Sequence, residues 1–175
     1  MKRITLPNIL ASAGALAIAL SLLYPWWSLE IEIIGKTVIY PYVIRGPATE
    51  LLGYHSTPQM PLLTAALITC VVLALVGSVL GKRAGRIALI AAGLLAAGGA
   101  YRFYERALDI ASRYHMTSVN GQTVARMMSF SPLHVAASLQ PGFYLNLIGA
   151  ALCLLAALFH AKLHPVRVKR SGQKS

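Results

Sequence analysis

The chain has 175 residues, 57% of them hydrophobic and only 12% charged, with a formal net charge of +11. A soluble globular domain carries roughly 25% charged residues, so these values exclude an ordinary soluble fold and fit one membrane domain over residues 1–175. The positive balance does not point to nucleic acid, because ten of the sixteen basic residues fall in three acid-free groups, Lys2–Arg3, Lys82–Arg86 and Lys162–Lys174.

No acidic or basic residue occurs from Ile4 to Leu29, which predicts a first span over about residues 5–27. Met1-Lys2-Arg3 before an apolar run has the look of a secretory leader. The run ends in Tyr24-Pro25-Trp26-Trp27, however, where a small-residue cleavage site is needed. Span one reads as a retained anchor. Those aromatics, with Tyr101, Phe103, Tyr104, Phe143 and Tyr144, suit an interfacial belt.

The first outer loop covers 28–59. Leu29 to Ile34 alternates apolar and acidic at the strand period. Gly35-Lys36 supplies a two-residue turn, and Thr37 to Ile44 is β-branched and aromatic. Pro41 places that strand at a sheet edge or bulge. Pro47 then opens a predicted short helix.

Span two covers about 60–81 and ends in Gly77-x-x-x-Gly81, a spacing that lets helices approach closely. Span three covers about 86–108. Its charge-free stretch holds only fifteen residues, Ile87 to Tyr101, so it reaches full length if Arg102 and Arg106 extend to the headgroups or face the bundle. Arg102, Glu105, Arg106 and Asp109 recur at helical spacing and pair at i,i+3 or i,i+4. They predict either an ion-paired helix projecting past the membrane, the favoured reading, or an outer vestibule for an anionic ligand or partner.

The second outer loop covers 109–140. Asn120-Gly121 between Met116–Val119 and Gln122–Ala125 predicts a second hairpin. Pro132 opens a predicted short helix over Leu133-His-Val-Ala-Ala137. Span four follows over about 141–162, then a basic tail over 163–175. Gly35-Lys-Thr-Val38 matches Gly121-Gln-Thr-Val124 at three positions of four, which raises an internal duplication as one reading and shared turn chemistry as the other. Two hairpins above one bundle are expected to pair into a single small sheet, since a lone hairpin is marginal in water.

The acid-free basic groups lie on one side of four spans, which puts both termini in the cytoplasm and both long loops outside. Trp26-Trp27 after span one and Pro141-Gly-Phe-Tyr-Leu-Asn-Leu-Ile-Gly149 opening span four resemble the claudin-like tetraspan superfamily. The resemblance implies its architecture of four spans, cytoplasmic ends and an outer β-sheet. The family's loop-one cysteine pair has no counterpart between Ser28 and Met60.

No catalytic, cofactor or metal motif is present: Cys-x-x-Cys, Gly-x-Ser-x-Gly and His-Glu-x-x-His are all missing. Cys70 and Cys153 fall inside spans and read as small packing residues. His160 and His164, four apart, read as interfacial. The fold class expected is an all-α membrane protein, a four-transmembrane-helix bundle with a small extracytoplasmic β-sheet. The function expected is a non-enzymatic scaffold or accessory subunit of the cell membrane that contacts lipid and other membrane subunits, or a second copy, without nucleic acid. Its surface candidates are Trp26, Trp27, Arg102, Glu105, Arg106 and Asp109, and its hairpin turns are Gly35-Lys36 and Asn120-Gly121. The alternatives are a small transporter or channel component, and a lipid- or quinone-binding accessory of a redox complex.

Overall fold

The computed structural model describes residues 8–47, 59–125 and 133–163. Four helices lie among them. The first, α1 (Ile9–Leu23), begins where Asn8 caps it: Asn8 Oδ1 accepts from the N–H of Leu10 at 3.1 Å and of Ala11 at 3.3 Å. These are donors that a helix start otherwise leaves unpaired. The helix stops at Leu23 because Tyr24 is extended and Pro25 follows. At fifteen residues, about 22 Å, α1 is shorter than the span expected over 5–27.

Helices α2 (Gln59–Val79), α3 (Lys82–Arg113) and α4 (Pro141–Leu163) follow. Each of these three is long and apolar enough to cross a membrane, and α1 is a shorter apolar helix. With its 32 residues, α3 is about 48 Å long and outruns a hydrocarbon layer of roughly 30 Å.

The helices form a ring in which α1 and α3 each pack against both α2 and α4. Small residues face inward: Ala11 and Ala15 of α1, Ala92, Ala96 and Ala100 of α3, and Ala150, Cys153 and Ala156 of α4 are all buried. Large aliphatics face outward, with Leu16, Leu62, Ile68, Leu94, Ile148 and Leu158 all more than half exposed. Water drives the opposite arrangement, whereas helices in lipid associate through small residues and present bulky apolar ones to acyl chains. The α1–α4 contact depends on this. A Cβ at Gly149 would stand 2.6 Å from Ile18 Cγ1 and 2.9 Å from the Gly14 carbonyl.

The expected Gly77–Gly81 pair separates into two roles. Gly77 faces Gly85 and Leu89 of α3 closely, while Gly81 meets nothing and serves as the extended residue before α3. Cys70 and Cys153 are both free and buried.

One antiparallel sheet of five strands sits at the end of the bundle where α1 and α3 finish and α4 begins. Its order is β3 (Ile44–Arg45), β2 (Gly35–Ile39), β1 (Trp27–Ile31), β5 (Leu133–Leu139) and β4 (Gly121–Ala125). Both loops therefore contribute to one sheet, as expected, but the details differ in three places.

The first hairpin turns through residues 32–34, with Ile34 N–H donating to the Ile31 carbonyl, and Gly35 closes that turn at φ +101°. Lys36 thus lies in β2 opposite Glu30 instead of in the turn. Pro41 lies after β2, in the turn where Tyr40 N–H donates to Val43.

Asn120-Gly121 is not a hairpin turn. Residues 116–119 form no strand, with Met116 and Val119 buried in the core, and Gly121 instead begins β4, whose partner is β5. The third difference is β5 itself. Leu133–Leu139 is a strand, not the helix expected after Pro132: Leu133, Val135 and Ala137 are buried while His134 is exposed. It pairs with β1, from Trp27 opposite Leu139 to Ile31 opposite Val135. The short helix expected after Pro47 falls outside the described residues.

Gly35 and Gly121, which share the Gly-x-Thr-Val motif, each open a strand with positive φ, +101° and +150°.

Two apolar cores result. One fills the bundle. The other lies between the sheet and the end of α3, where Trp27, Leu29, Ile31, Ile39 and Val135 meet Ala107, Ile110, Ala111, Met116 and Val119. Phe103 touches both cores, so the sheet is fastened to the helix that projects beneath it.

Candidate functional site

The length of α3 creates the most distinctive surface. Gly99 lies level with Leu63, since a Cβ there would stand 3.1 Å from Leu63 Cδ1. Helix α2 begins four residues, about 6 Å, beyond Leu63, so α3 from about Phe103 onward rises past the start of α2. The result is a groove of about 670 Å³ between the two helices. Its lower walls are Leu62, Leu63 and Ala66 of α2 with Leu94, Leu95, Gly98 and Gly99 of α3. Its upper wall is Arg102, Glu105, Arg106 and Asp109. Four of the six surface candidates thus share one site.

The four charges pair along the helix: Arg102 Nη1 to Glu105 Oε2 at 3.0 Å and Arg106 Nη1 to Asp109 Oδ2 at 3.2 Å. Arg113 Nη2 adds a second contact to Asp109 Oδ2 at 3.1 Å. All these side chains are substantially exposed, Arg102 at 79%. Exposed pairs of this kind contribute about 0.3–0.5 kcal/mol each. They brace a projecting helix only weakly and yield readily to another ligand. Two guanidiniums and two carboxylates sum to zero, so the groove does not select for a simple anion.

Trp26 and Trp27 are not surface residues, because both are completely buried. Trp26 donates its indole N–H to the Ser21 carbonyl at 2.9 Å and meets Phe103 and Phe143 edge-on, with centroids 5.0 and 5.8 Å away. Trp27 donates to the Val119 carbonyl at 2.8 Å, tying β1 to the segment that precedes β4. Consecutive residues at a strand start point to opposite sides, so the pair fills both cores, one ring in each. Among the described residues, the exposed aromatics at this end are tyrosines: Tyr24, Tyr42, Tyr101, Tyr104 and Tyr144. An apolar ring with a wet hydroxyl suits a membrane interface.

The sheet has a braced inner face and two edges. Asn120 Oδ1 accepts from Leu139 N–H at 2.6 Å, fixing where β4 joins β5. Gln140 Nε2 donates at 2.8 Å to both Ser28 Oγ and Ser138 Oγ across the β1–β5 pair. One edge, β3, is only two residues long, and its Arg45 lies 5.4 Å over the Tyr40 ring. The other, β4, has five residues and presents Val124 half exposed.

Sequence reasoning missed one buried polar group. Asn146 of α4 is fully buried and donates from Nδ2 to the Ala96 carbonyl of α3 at 3.0 Å, leaving Oδ1 without a partner. An amide in the middle of an apolar run was the available signal. Beyond the sheet, burial pushes the Tyr114 phenol above its ordinary range, with Arg113 opposing the rise. His115 and His134 are exposed and apart from the groove. His55 and His164, and the His160 side chain, lie outside what is described.

No family model matches the chain, and no curated protein matches it.

Proposed function

We propose that this chain is a four-span protein of the cell membrane, both ends cytoplasmic, whose five-stranded extracytoplasmic cap is a contact surface for another membrane subunit or a second copy. The fourth span is α1. Its short length is offset by its anchoring, since Asn8 N–H donates to Ser78 near the end of α2 and Gly142 N–H of α4 donates to Pro25. Helix and flanks together cover the height between those two points. The start of α1, the α2–α3 turn with Arg83 and Arg86, and the end of α4 lie at one end of the bundle, and in the sequence the other acid-free basic residues adjoin those same segments. Positive residues favour the cytoplasmic side, which places the sheet outside. This layout is also what the claudin-like resemblance implies.

The observation that carries the contact role is β4. It is a five-residue edge with an exposed valine, held on a sheet bolted to α3. Edge strands offer unpaired backbone groups to a partner strand. The test is a photo-crosslinking residue at Val124 in native membranes, with the outward-facing Leu16 as control. A discrete protein adduct from position 124, absent from position 16, is expected. Lipid adducts alone, from a protein that native mass spectrometry finds monomeric, would sink the proposal.

A further inference from the structure

The groove between α2 and α3 holds a combination that neither the cap nor the bundle requires: an apolar recess with open space at Gly98 beneath an alternating row of charges. We infer that it seats one glycerophospholipid whose headgroup is zwitterionic with a primary amine.

Depth comes first. Arg83 and Arg102 stand about 28 Å apart along α3, close to the roughly 30 Å hydrocarbon thickness. With Arg83 at one surface, Arg102 reaches the other. Glu105 and Arg106 lie about 4–6 Å farther along the helix, inside a headgroup layer that adds roughly 5–7 Å per side. Leu94 lies about 12 Å below Arg102, within the outer acyl region. The groove therefore changes from apolar to charged at the height where a phospholipid does.

Shape is next. A Cβ at Gly98 would meet nothing within 4 Å, whereas one at Gly99 would press on Leu63 Cδ1 at 3.1 Å. Gly99 closes the helix contact, and Gly98 opens a slot beside it. Helix packing gives no reason for a glycine at 98, and glycine there lowers helix stability. An acyl chain lying against the bare backbone supplies one.

Charge decides the headgroup. Arg102, Glu105, Arg106 and Asp109 line the rim in the order plus, minus, plus, minus along the chain. A net-anionic headgroup would satisfy the guanidiniums and leave the carboxylates facing it. A phosphate accepts bidentate hydrogen bonds from guanidinium, and a primary ammonium donates to carboxylate. Asp109 is held by two guanidiniums, Arg106 and Arg113, whereas Glu105 has one, Arg102, beside the Tyr101 hydroxyl, so Glu105 is the acceptor for the ammonium. A quaternary ammonium has no N–H to give, which ranks a choline headgroup lower. The existing ion pairs are exposed and weak enough to rearrange around the lipid.

The inference rests on α3 crossing the membrane and is independent of the cap's partner. The full chain is placed in nanodiscs of equal phosphatidylethanolamine, phosphatidylglycerol and phosphatidylcholine, extracted gently, and its retained lipid is read by native mass spectrometry. One phosphatidylethanolamine per chain is expected. Gly98→Leu, whose Cβ would meet nothing within 4 Å, should lower retention at least tenfold with the melting temperature kept. Glu105→Gln, at an exposed position, should abolish the preference for phosphatidylethanolamine over phosphatidylcholine. Preferential retention of phosphatidylglycerol, equal retention by wild type and both variants, or cross-linking from position 98 to a protein would overturn it.

Discussion

Replacing Trp27 by phenylalanine separates the two cores experimentally. The indole N–H donates to the Val119 carbonyl across ninety-two residues of sequence, and the ring is wholly buried between the sheet and α3. Phenylalanine cannot donate, so the buried carbonyl loses its partner at a cost of about 1–3 kcal/mol. The smaller ring also leaves a gap, adding about 1 kcal/mol. The sum is about 2–4 kcal/mol, falling on the cap and not on the bundle. Since 1.4 kcal/mol is tenfold in an opening equilibrium, amide exchange in β4 and β5 should accelerate about 30- to 800-fold. Hydrogen exchange read by mass spectrometry in detergent or nanodiscs measures this directly. Exchange in α1 and α4 should not follow. Trp26→Phe should do the reverse, loosening the Ser21–Phe143 end of the bundle while the sheet keeps its protection. If Trp27→Phe left β4 and β5 protected, or loosened both cores together, the division into two cores joined at Phe103 would be refuted.

Gly149→Ala should destabilise the bundle by about 1–3 kcal/mol in a detergent melt, because the added methyl would meet Ile18 at 2.6 Å. An unchanged melt would show that α1 and α4 do not pack this closely. Asp109→Ala breaks two exposed ion pairs and should shift stability by less than about 1 kcal/mol. A larger loss would mean that the charges brace α3 after all. Asn146→Leu removes the unpartnered Oδ1 and should leave the melt unchanged or raise it. A drop of several degrees would show that the bond to Ala96 outweighs the stranded oxygen. Burial holds the Tyr114 proton above the ordinary tyrosine range. The stabilisation it contributes is full below about pH 10, the unfolded value, and is lost as pH rises toward the folded value. An alkaline melting series should show that loss, and Tyr114→Phe should reduce its slope.

Charge-free length was enough to find the helices, because only long apolar runs hold a backbone in lipid. Spacing was enough for the α3 ion pairs, since i,i+3 and i,i+4 partners lie on one face whatever surrounds them. The local turn signals at Gly35 and Gly121 were legible as positive-φ positions, but which residues they joined was not. Leu133 to Leu139 carries two alanines and the alternation of a strand. Its intrinsic preference amounts to tenths of a kcal/mol per residue, and pairing with Trp27–Ile31 overrode the helical reading. Met116 and Val119 left the hairpin they spell because the space under the sheet needed apolar side chains. Trp26 and Trp27 read as interfacial because aromatics collect there. Only the meeting of α1, α3, α4 and the sheet encloses them. The groove also has no signature along the chain, since it exists because α3 continues past the start of α2 and Gly98 happens to face the step. Local composition and periodicity act within a few residues, so they reached the sequence-level reading intact. Burial, edge position and the alignment of one helix against another depend on segments far apart in the chain, and only their packing decided them.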